Sequence, residues 1–75
     1  MITAFWHRGR REFVPLLSTE LAKRAEVKPH QATRWLLDNL ESGIVSRQVI
    51  TDRRNPETVW SLTSKGRAMA RGALA

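Results

Sequence analysis

Apolar residues recur every three to four positions in the stretch that begins at Ser18. Over "STELAKRAEV" this spacing predicts a short helix that buries Leu21, Ala22 and Ala25 on one face. Ser18 is a residue type that caps helix N-termini, and Glu20 lies in the first turn, where the helix dipole favours a negative charge. The pattern therefore predicts a helix with Ser18 as its N-cap.

The same periodicity resumes after a short break at "VKPHQ". Proline is tolerated in the first turn of a helix, so a second helix is predicted to begin at Pro29 and to cover residues 29–42. Gly43 follows as the residue type that commonly ends a helix. The apolar stripe of this helix consists of Ala32, Leu36 and Leu40. Two helices joined by so short a break form a helix-turn-helix unit.

After the second helix the chain becomes rich in Val, Ile, Thr and Trp, which favour β-strands. Residues 45–51 and 58–62 are predicted to pair as a ribbon. The connection over residues 52–57 is too long for a two-residue turn, so a longer mobile loop is expected there. Thr63 is the predicted N-cap of a last helix over residues 64–73.

The N-terminal stretch has a weaker pattern. Ile2, Phe5 and Trp6 have helical spacing, and a short helix is the prediction there. Its expected bounds are residues 3–11. Residues 13–17 are predicted to be extended or irregular, because proline disfavours helix in the residue before it. The predicted order is helix, extended segment, helix, turn, helix, ribbon and helix.

Composition adds a strong positive charge to this pattern. The 75 residues include no cysteine, and 13 Lys and Arg stand against 7 Asp and Glu, which gives a net charge of +6. A chain of this length predicts a single domain over residues 1–75, without disulfides or thiolate metal sites. The pI of about 11.4 exceeds the value of about 9 that indicates nucleic-acid binding. With neither a membrane span nor the charge order of a secretory signal, a cytoplasmic, nucleoid-associated protein is expected.

Two segments carry a distinctive arrangement of motifs. "ELAKRAEVKPHQATRWLLDNLESGIV" is similar to the helix-turn-helix of the MarR-type winged-helix regulators, with a Leu-Ala pair and a Leu-Glu-x-Gly ending. "DRRNPETVWSLTSKG" is similar to the wing of that family, with Asp-Arg-Arg, a strand, and Leu-Thr-x-x-Gly. The chain resembles the family over residues 16–69. Family members are normally longer, with extra helices at both ends that make the dimer.

The resemblance implies an α+β, mainly α, winged helix-turn-helix fold with a three-helix core, a two-stranded wing and a C-terminal helix. It also implies sequence-specific binding of double-stranded DNA by a small transcriptional regulator, more as a repressor by occupancy than as an activator. A monomer makes few contacts, so specificity would need a dimer or tandem sites, and the N-terminal or C-terminal helix could supply a small homodimer interface. We expect no enzymatic activity.

The second helix is the predicted DNA reader, because the N-terminal residues of a recognition helix meet base edges in the major groove. Gln31 can pair bidentately with adenine and Arg34 with guanine, and their spacing of three places them on one face. Lys28 opposes the helix dipole, a conflict that a DNA phosphate would relieve. The alternative is a solvated helix surface. The predicted contacts of this helix are Lys28, His30, Gln31, Thr33 and Arg34.

The loop of the ribbon is the second predicted DNA contact. The tip of a wing reaches into the minor groove or grips flanking phosphates, and a narrow minor groove attracts arginine. The resemblance therefore implies Arg53, Arg54 and Asn55 as DNA contacts. One alternative is a polar turn that only keeps the chain soluble. Another is that Asp52 pairs with one of the two arginines and leaves the other free.

Further polar residues are expected to touch phosphate without reading sequence. Two of them belong to the cluster "HRGRR", which is equally typical of a solvated surface. The predicted phosphate contacts are Ser18, Thr19, Arg10 and Arg11.

The three tryptophans are predicted to lie in the core. Trp60 alternates with Thr58 and Leu62, the pattern of a buried strand face. For Trp35 the alternative is an exposed contact to DNA or to a second subunit. For Trp6 the alternative is a dimer contact.

No catalytic, cofactor-binding or metal-binding motif is present in the sequence. His7 and His30 are far apart, and the four glycines fit no phosphate-binding loop. Two alternative functions stay open. One is a DNA-architectural, excisionase-like recombination factor, and the other is a winged-helix module that inhibits or docks a protein partner.

Overall fold

The computed structural model describes residues 1–51 and 56–74. Over these residues the chain forms a small α+β domain with three α-helices and two antiparallel strand pairs. In chain order the elements are a 3-10 helix Ile2–Phe5, β1 Trp6–His7, β2 Glu12–Phe13, α1 Ser18–Ala25, α2 Pro29–Glu41, β3 Val45–Ile50, β4 Glu57–Leu62 and α3 Ser64–Leu74.

Helix α1 lies where the apolar spacing predicts it, but its cap differs from the prediction. Ser18 is the first helical residue, and the N-cap position belongs to Leu17. A leucine side chain accepts no hydrogen bond, so the cap is supplied from inside the helix: the Leu17 amide donates to Glu20 Oε1 at 3.1 Å. At the other end Glu26 adopts a left-handed conformation with φ of 56°. This residue ends α1 and starts the turn toward α2.

Helix α2 begins at Pro29, as predicted, and Ser42 is its C-cap. Gly43 then has φ of +76°, a conformation that costs glycine little. The Ile44 amide donates to the Asn39 carbonyl at 2.9 Å across this turn. The predicted role of Gly43 in ending the helix is therefore confirmed.

Strands β3 and β4 pair antiparallel, from Val45 opposite Leu62 to Ile50 opposite Glu57. Leu16 attaches this ribbon to the N-terminal half of the chain. The backbones of Leu16 and Trp60 exchange two hydrogen bonds of 2.8 Å. β3 is exposed beyond Val45, whereas β4 buries Trp60 and Leu62. The ribbon is thus anchored at one end and projects into solvent at the other.

Helix α3 is capped as predicted, because the Gly66 amide donates to Thr63 Oγ1 at 3.1 Å. The helix packs against the 3-10 helix and against β4. Gly66 is buried where α3 passes the turn between α2 and β3, and an added Cβ there would meet the Ile44 carbonyl oxygen. The close approach of the two backbones requires glycine here.

The predicted helix over residues 3–11 is wrong. The chain makes only a 3-10 helix, Ile2–Phe5, and then a hairpin in which Trp6 pairs with Phe13. The two rings meet edge to face, with centroids 5.0 Å apart. Arg11 has φ of 51°, which returns the chain into β2. The cross-strand aromatic pair outweighs the weak helical spacing.

The core lies between the 3-10 helix, α1, α2, β4 and α3. Trp60 is 5% exposed, so its predicted core position is confirmed. Trp35 is half-buried with its ring centroid 6.4 Å from that of Phe5. Trp6 is half-buried and packs on Phe13 in the hairpin, so the prediction of a core position is wrong for it. The buried apolar residues are Phe5, Leu16, Leu21, Ala22, Ala32, Leu36, Val45, Trp60, Leu62 and Ala70.

Candidate nucleic-acid interface

Helix α2 has two faces of opposite character. Ala32 and Leu36 are fully buried, and they fix the helix against α1 and β3. The opposite face of the N-terminal half is polar and solvent-accessible. All five residues predicted there as DNA contacts are exposed: Lys28, His30, Gln31, Thr33 and Arg34.

Two of these five side chains are engaged with the helix backbone. Gln31 Oε1 accepts a hydrogen bond of 3.0 Å from the Lys28 amide, which caps the N-terminus of α2. Thr33 Oγ1 donates to the Pro29 carbonyl at 3.1 Å. Bidentate pairing of Gln31 with adenine therefore requires the glutamine oxygen to leave the cap.

The other three side chains keep their polar ends toward solvent. In the part of the chain that the structure describes, no hydrogen bond or ion pair holds the side chains of Lys28, His30 or Arg34. The first turn of α2 contains no acidic residue. The positive end of the helix dipole and two cationic side chains therefore face solvent together, an arrangement that attracts anions.

The predicted phosphate contacts lie on two separate elements. Ser18 and Thr19 stand in the first turn of α1, and Arg10 and Arg11 stand in the loop between β1 and β2. Arg10 Nε contacts Glu12 Oε1 at 2.9 Å, the one ion pair over residues 1–51 and 56–74. Arg11 is exposed beside it.

The remaining predicted contacts follow β3 in the sequence. Arg53, Arg54 and Asn55, together with Asp52, lie outside the described residues. On β3 the Arg47 guanidinium lies 5.9 Å from the ring centroid of Trp60 on the neighbouring strand. Arg47 was not predicted as a contact residue. In the sequence, only its place among polar residues on an exposed strand could have indicated it.

A second basic surface was also missed. The N-terminal hairpin and α3 bring three arginines, a glutamate and two aromatic rings together. They are Arg11, Arg67, Arg71, Glu12, Trp6 and Phe13. Residues 6–13 and 67–71 are far apart in the chain, so only the packing of α3 onto the N-terminal segment creates this surface.

Within the described residues no group of three His, Cys, Asp or Glu side chains is placed to hold a metal ion. Over the same part of the chain, no helix combines the length and the apolar character needed to cross a bilayer. Comparison with known proteins identifies no matching family model, no matching curated protein and no matching solved structure.

Proposed function

We propose that this chain is a winged helix-turn-helix domain of the MarR type that binds double-stranded DNA sequence-specifically in the cytoplasm. It acts as a small transcriptional regulator that represses by occupying its operator. One observation carries the proposal. Helix α2 is held in the core by Ala32 and Leu36, while its N-terminal half exposes a polar face bearing Lys28 and Arg34. A rigid helix with such a face fits the major groove.

In this mode α1 and the turn through Glu26 hold α2 against the DNA, and α2 enters the major groove by its N-terminal end. Arg34 pairs with guanine, and Lys28 contacts a phosphate at the helix N-terminus. The β3–β4 ribbon is the wing. Residues 52–57 are its proposed contacts to the adjacent minor groove or backbone.

The test is selection from a random pool of double-stranded DNA, repeated at two salt concentrations. The proposal predicts a recovered consensus and an affinity that falls steeply as salt rises, because phosphate contacts release counterions. Affinity should collapse in the Arg53→Ala/Arg54→Ala double variant. A two-fold symmetric consensus indicates a dimer. Weak binding without any consensus contradicts the proposal.

An excisionase-like architectural factor shares the DNA contacts but differs in what it does to the duplex. Such a factor bends DNA and fills arrays cooperatively. Electrophoresis of a bound site placed at varying positions along a fragment measures the bend. Strong bending together with cooperative filling of adjacent sites supports the architectural function over the regulator.

A protein-docking module is the second candidate, and exposed apolar residues favour it. Leu37 on α2 is 49% exposed, and Val49 and Ile50 on β3 are 52% and 38% exposed. In this function α2 faces a protein partner. The Arg53→Ala/Arg54→Ala variant would keep full function, whereas Leu37→Ser would lose it.

A further inference from the structure

A groove of about 360 Å³ lies between the β1–β2 hairpin and α3. Its size falls within the range of about 300–1,000 Å³ that is typical of small-molecule sites. None of the residues predicted for DNA contact on α2 lines it. Its walls are formed by Trp6, Arg11, Glu12, Phe13, Arg67 and Arg71.

The floor of the groove is aromatic. Trp6 and Phe13 are both half-buried, and their rings are inclined at 69° with centroids 5.0 Å apart. The Arg71 guanidinium lies 5.9 Å from the centroid of Phe13. Half-exposed rings beside a planar guanidinium form a surface on which another flat group can stack.

The rim of the groove is cationic. Arg11, Arg67 and Arg71 line the groove together with one carboxylate, that of Glu12. Glu12 already contacts Arg10 at 2.9 Å, so its charge is offset from outside the groove. The remaining positive charge favours an anion, and guanidinium groups match the geometry of phosphate oxygens.

The groove continues past Arg67. A neighbouring cavity of about 220 Å³ shares Phe13 and Arg67 with it. This second cavity is also lined by Val14, Pro15, Ser61 and Leu62. Arg67 therefore stands between two adjoining spaces, which suits a ligand with a flat group on one side and a phosphate at the junction.

We propose that this groove binds a nucleotide, with the base stacked on Trp6 beside the edge of Phe13 and the phosphate held by Arg67, Arg71 and Arg11. A free mononucleotide and one nucleotide unit of a single strand share this chemistry, since both present a phosphate next to a flat base. The proposal does not depend on the function proposed for α2.

The groove and the N-terminal end of α2 have no lining residue in common, because the groove is lined by residues of the hairpin and of α3. Duplex binding by α2 and nucleotide binding in the groove can therefore be measured as separate events.

The experiment is titration of the isotope-labelled chain with adenosine monophosphate, followed by the three indole N–H signals in heteronuclear NMR spectra at low ionic strength. Parallel titrations use inorganic phosphate and a short single-stranded oligodeoxynucleotide. We expect the Trp6 signal to shift and saturate with adenosine monophosphate, while the signals of buried Trp60 and of Trp35 stay in place. Inorganic phosphate should saturate the shift only at much higher concentration, because it cannot stack.

Two charge-matched variants locate the binding. Arg67→Gln/Arg71→Gln should weaken nucleotide binding by roughly tenfold or more, since two charge-assisted contacts are lost. Lys28→Gln/Arg34→Gln removes the same charge from α2 and should leave nucleotide binding unchanged. All four side chains are exposed, so the variants should keep the fold, which the dispersion of their spectra checks.

Several outcomes overturn the proposal. They are no shift of Trp6 with any ligand, equal saturation by inorganic phosphate and by the nucleotide, or equal weakening in the two variants. If the oligodeoxynucleotide saturates Trp6 at lower concentration than the mononucleotide, the groove takes a nucleotide within a strand. If the mononucleotide saturates Trp6 at the lower concentration, the groove takes a free nucleotide. Both results support the proposal.

Discussion

Thr63 Oγ1 lies 2.6 Å from the carbonyl oxygen of Gly43, twenty residues earlier in the chain. The same oxygen lies 3.0 Å from the Ile44 carbonyl oxygen and accepts the Gly66 amide at 3.1 Å. One hydroxyl thus caps α3 and joins it to the turn that ends α2. This contact ties the start of α3 to the helix proposed to read DNA.

Replacing Thr63 tests this contact. Thr63→Val keeps the shape of the side chain but removes the hydroxyl, and should lower the free energy of unfolding by about 1–2 kcal/mol. Thr63→Ser keeps the hydroxyl and should stay within about 0.5 kcal/mol of the original chain. Urea denaturation followed by far-UV circular dichroism measures both. A loss in Thr63→Ser with none in Thr63→Val would mean that the methyl group, not the hydroxyl, stabilises the junction.

Replacing each of two glycines in α3 by alanine should change the stability of the fold in opposite directions. In Gly66→Ala the new Cβ meets the Ile44 carbonyl oxygen, so the backbones must separate, at a cost of about 1–3 kcal/mol. In Gly72→Ala the Cβ meets nothing within 4 Å, so the higher helix propensity of alanine should stabilise by up to about 1 kcal/mol. Melting temperatures of the two variants give the comparison. A stabilised Gly66→Ala variant would show that α3 does not approach Ile44 so closely.

Two adjacent aromatic residues should differ sharply in their effect on stability. Phe5 is fully buried, and Phe5→Ala should cost about 3–5 kcal/mol because it leaves a cavity under α1 and α3. Trp6 is half-exposed, and Trp6→Ala should cost only about 1 kcal/mol, through loss of the edge-to-face contact with Phe13. Chemical denaturation of both variants measures the difference. A helix over residues 3–11 would bury both side chains and bring the two values together.

A substitution of Gln31 should lower the affinity for DNA without lowering the stability of the fold. Gln31→Glu keeps an oxygen that can accept the Lys28 amide, and its charge suits the helix N-terminus, so stability should be unchanged or slightly higher. The same charge faces the DNA phosphates in the proposed complex, so affinity for the selected site should fall at least tenfold, about 1.4 kcal/mol. Thermal melting and fluorescence anisotropy on labelled duplex supply the two values. If this variant binds the duplex with undiminished affinity, α2 is not part of the DNA interface.

The cationic residues of α2 should set the salt dependence of duplex binding. Each phosphate contact contributes about −0.9 to the slope of log K against log salt. Lys28→Gln/Arg34→Gln should reduce that slope by about one to two, one for a phosphate contact of Lys28 and a second if Arg34 also touches phosphate. Arg67→Gln/Arg71→Gln removes the same charge from α3 and should keep the original slope. An equal change in both variants would mean that duplex DNA is bound through general charge rather than through α2.

Regular periodicity predicted most of the fold. The apolar stripe through Leu21 and Ala22 and the one through Ala32 and Leu36 place α1 and α2 within two residues of their observed bounds. Thr63 was predicted as the cap of α3 from its residue type and its position. These predictions succeed because helix faces and caps depend on residues three to four positions apart.

The sequence by itself determined α1, α2, the β3–β4 ribbon, α3 and the positive charge, since each follows from local spacing or composition. It also determined which residues face outward on α2, because Ala32 and Leu36 fix the buried side. Only the tertiary structure decided the N-terminal hairpin, where Trp6 pairs with Phe13 across a turn. It alone joined the hairpin to Arg67 and Arg71 in one groove. The hairpin depends on a cross-strand ring pair and a left-handed Arg11, and the groove depends on how distant segments pack; helical and strand periodicity encode neither.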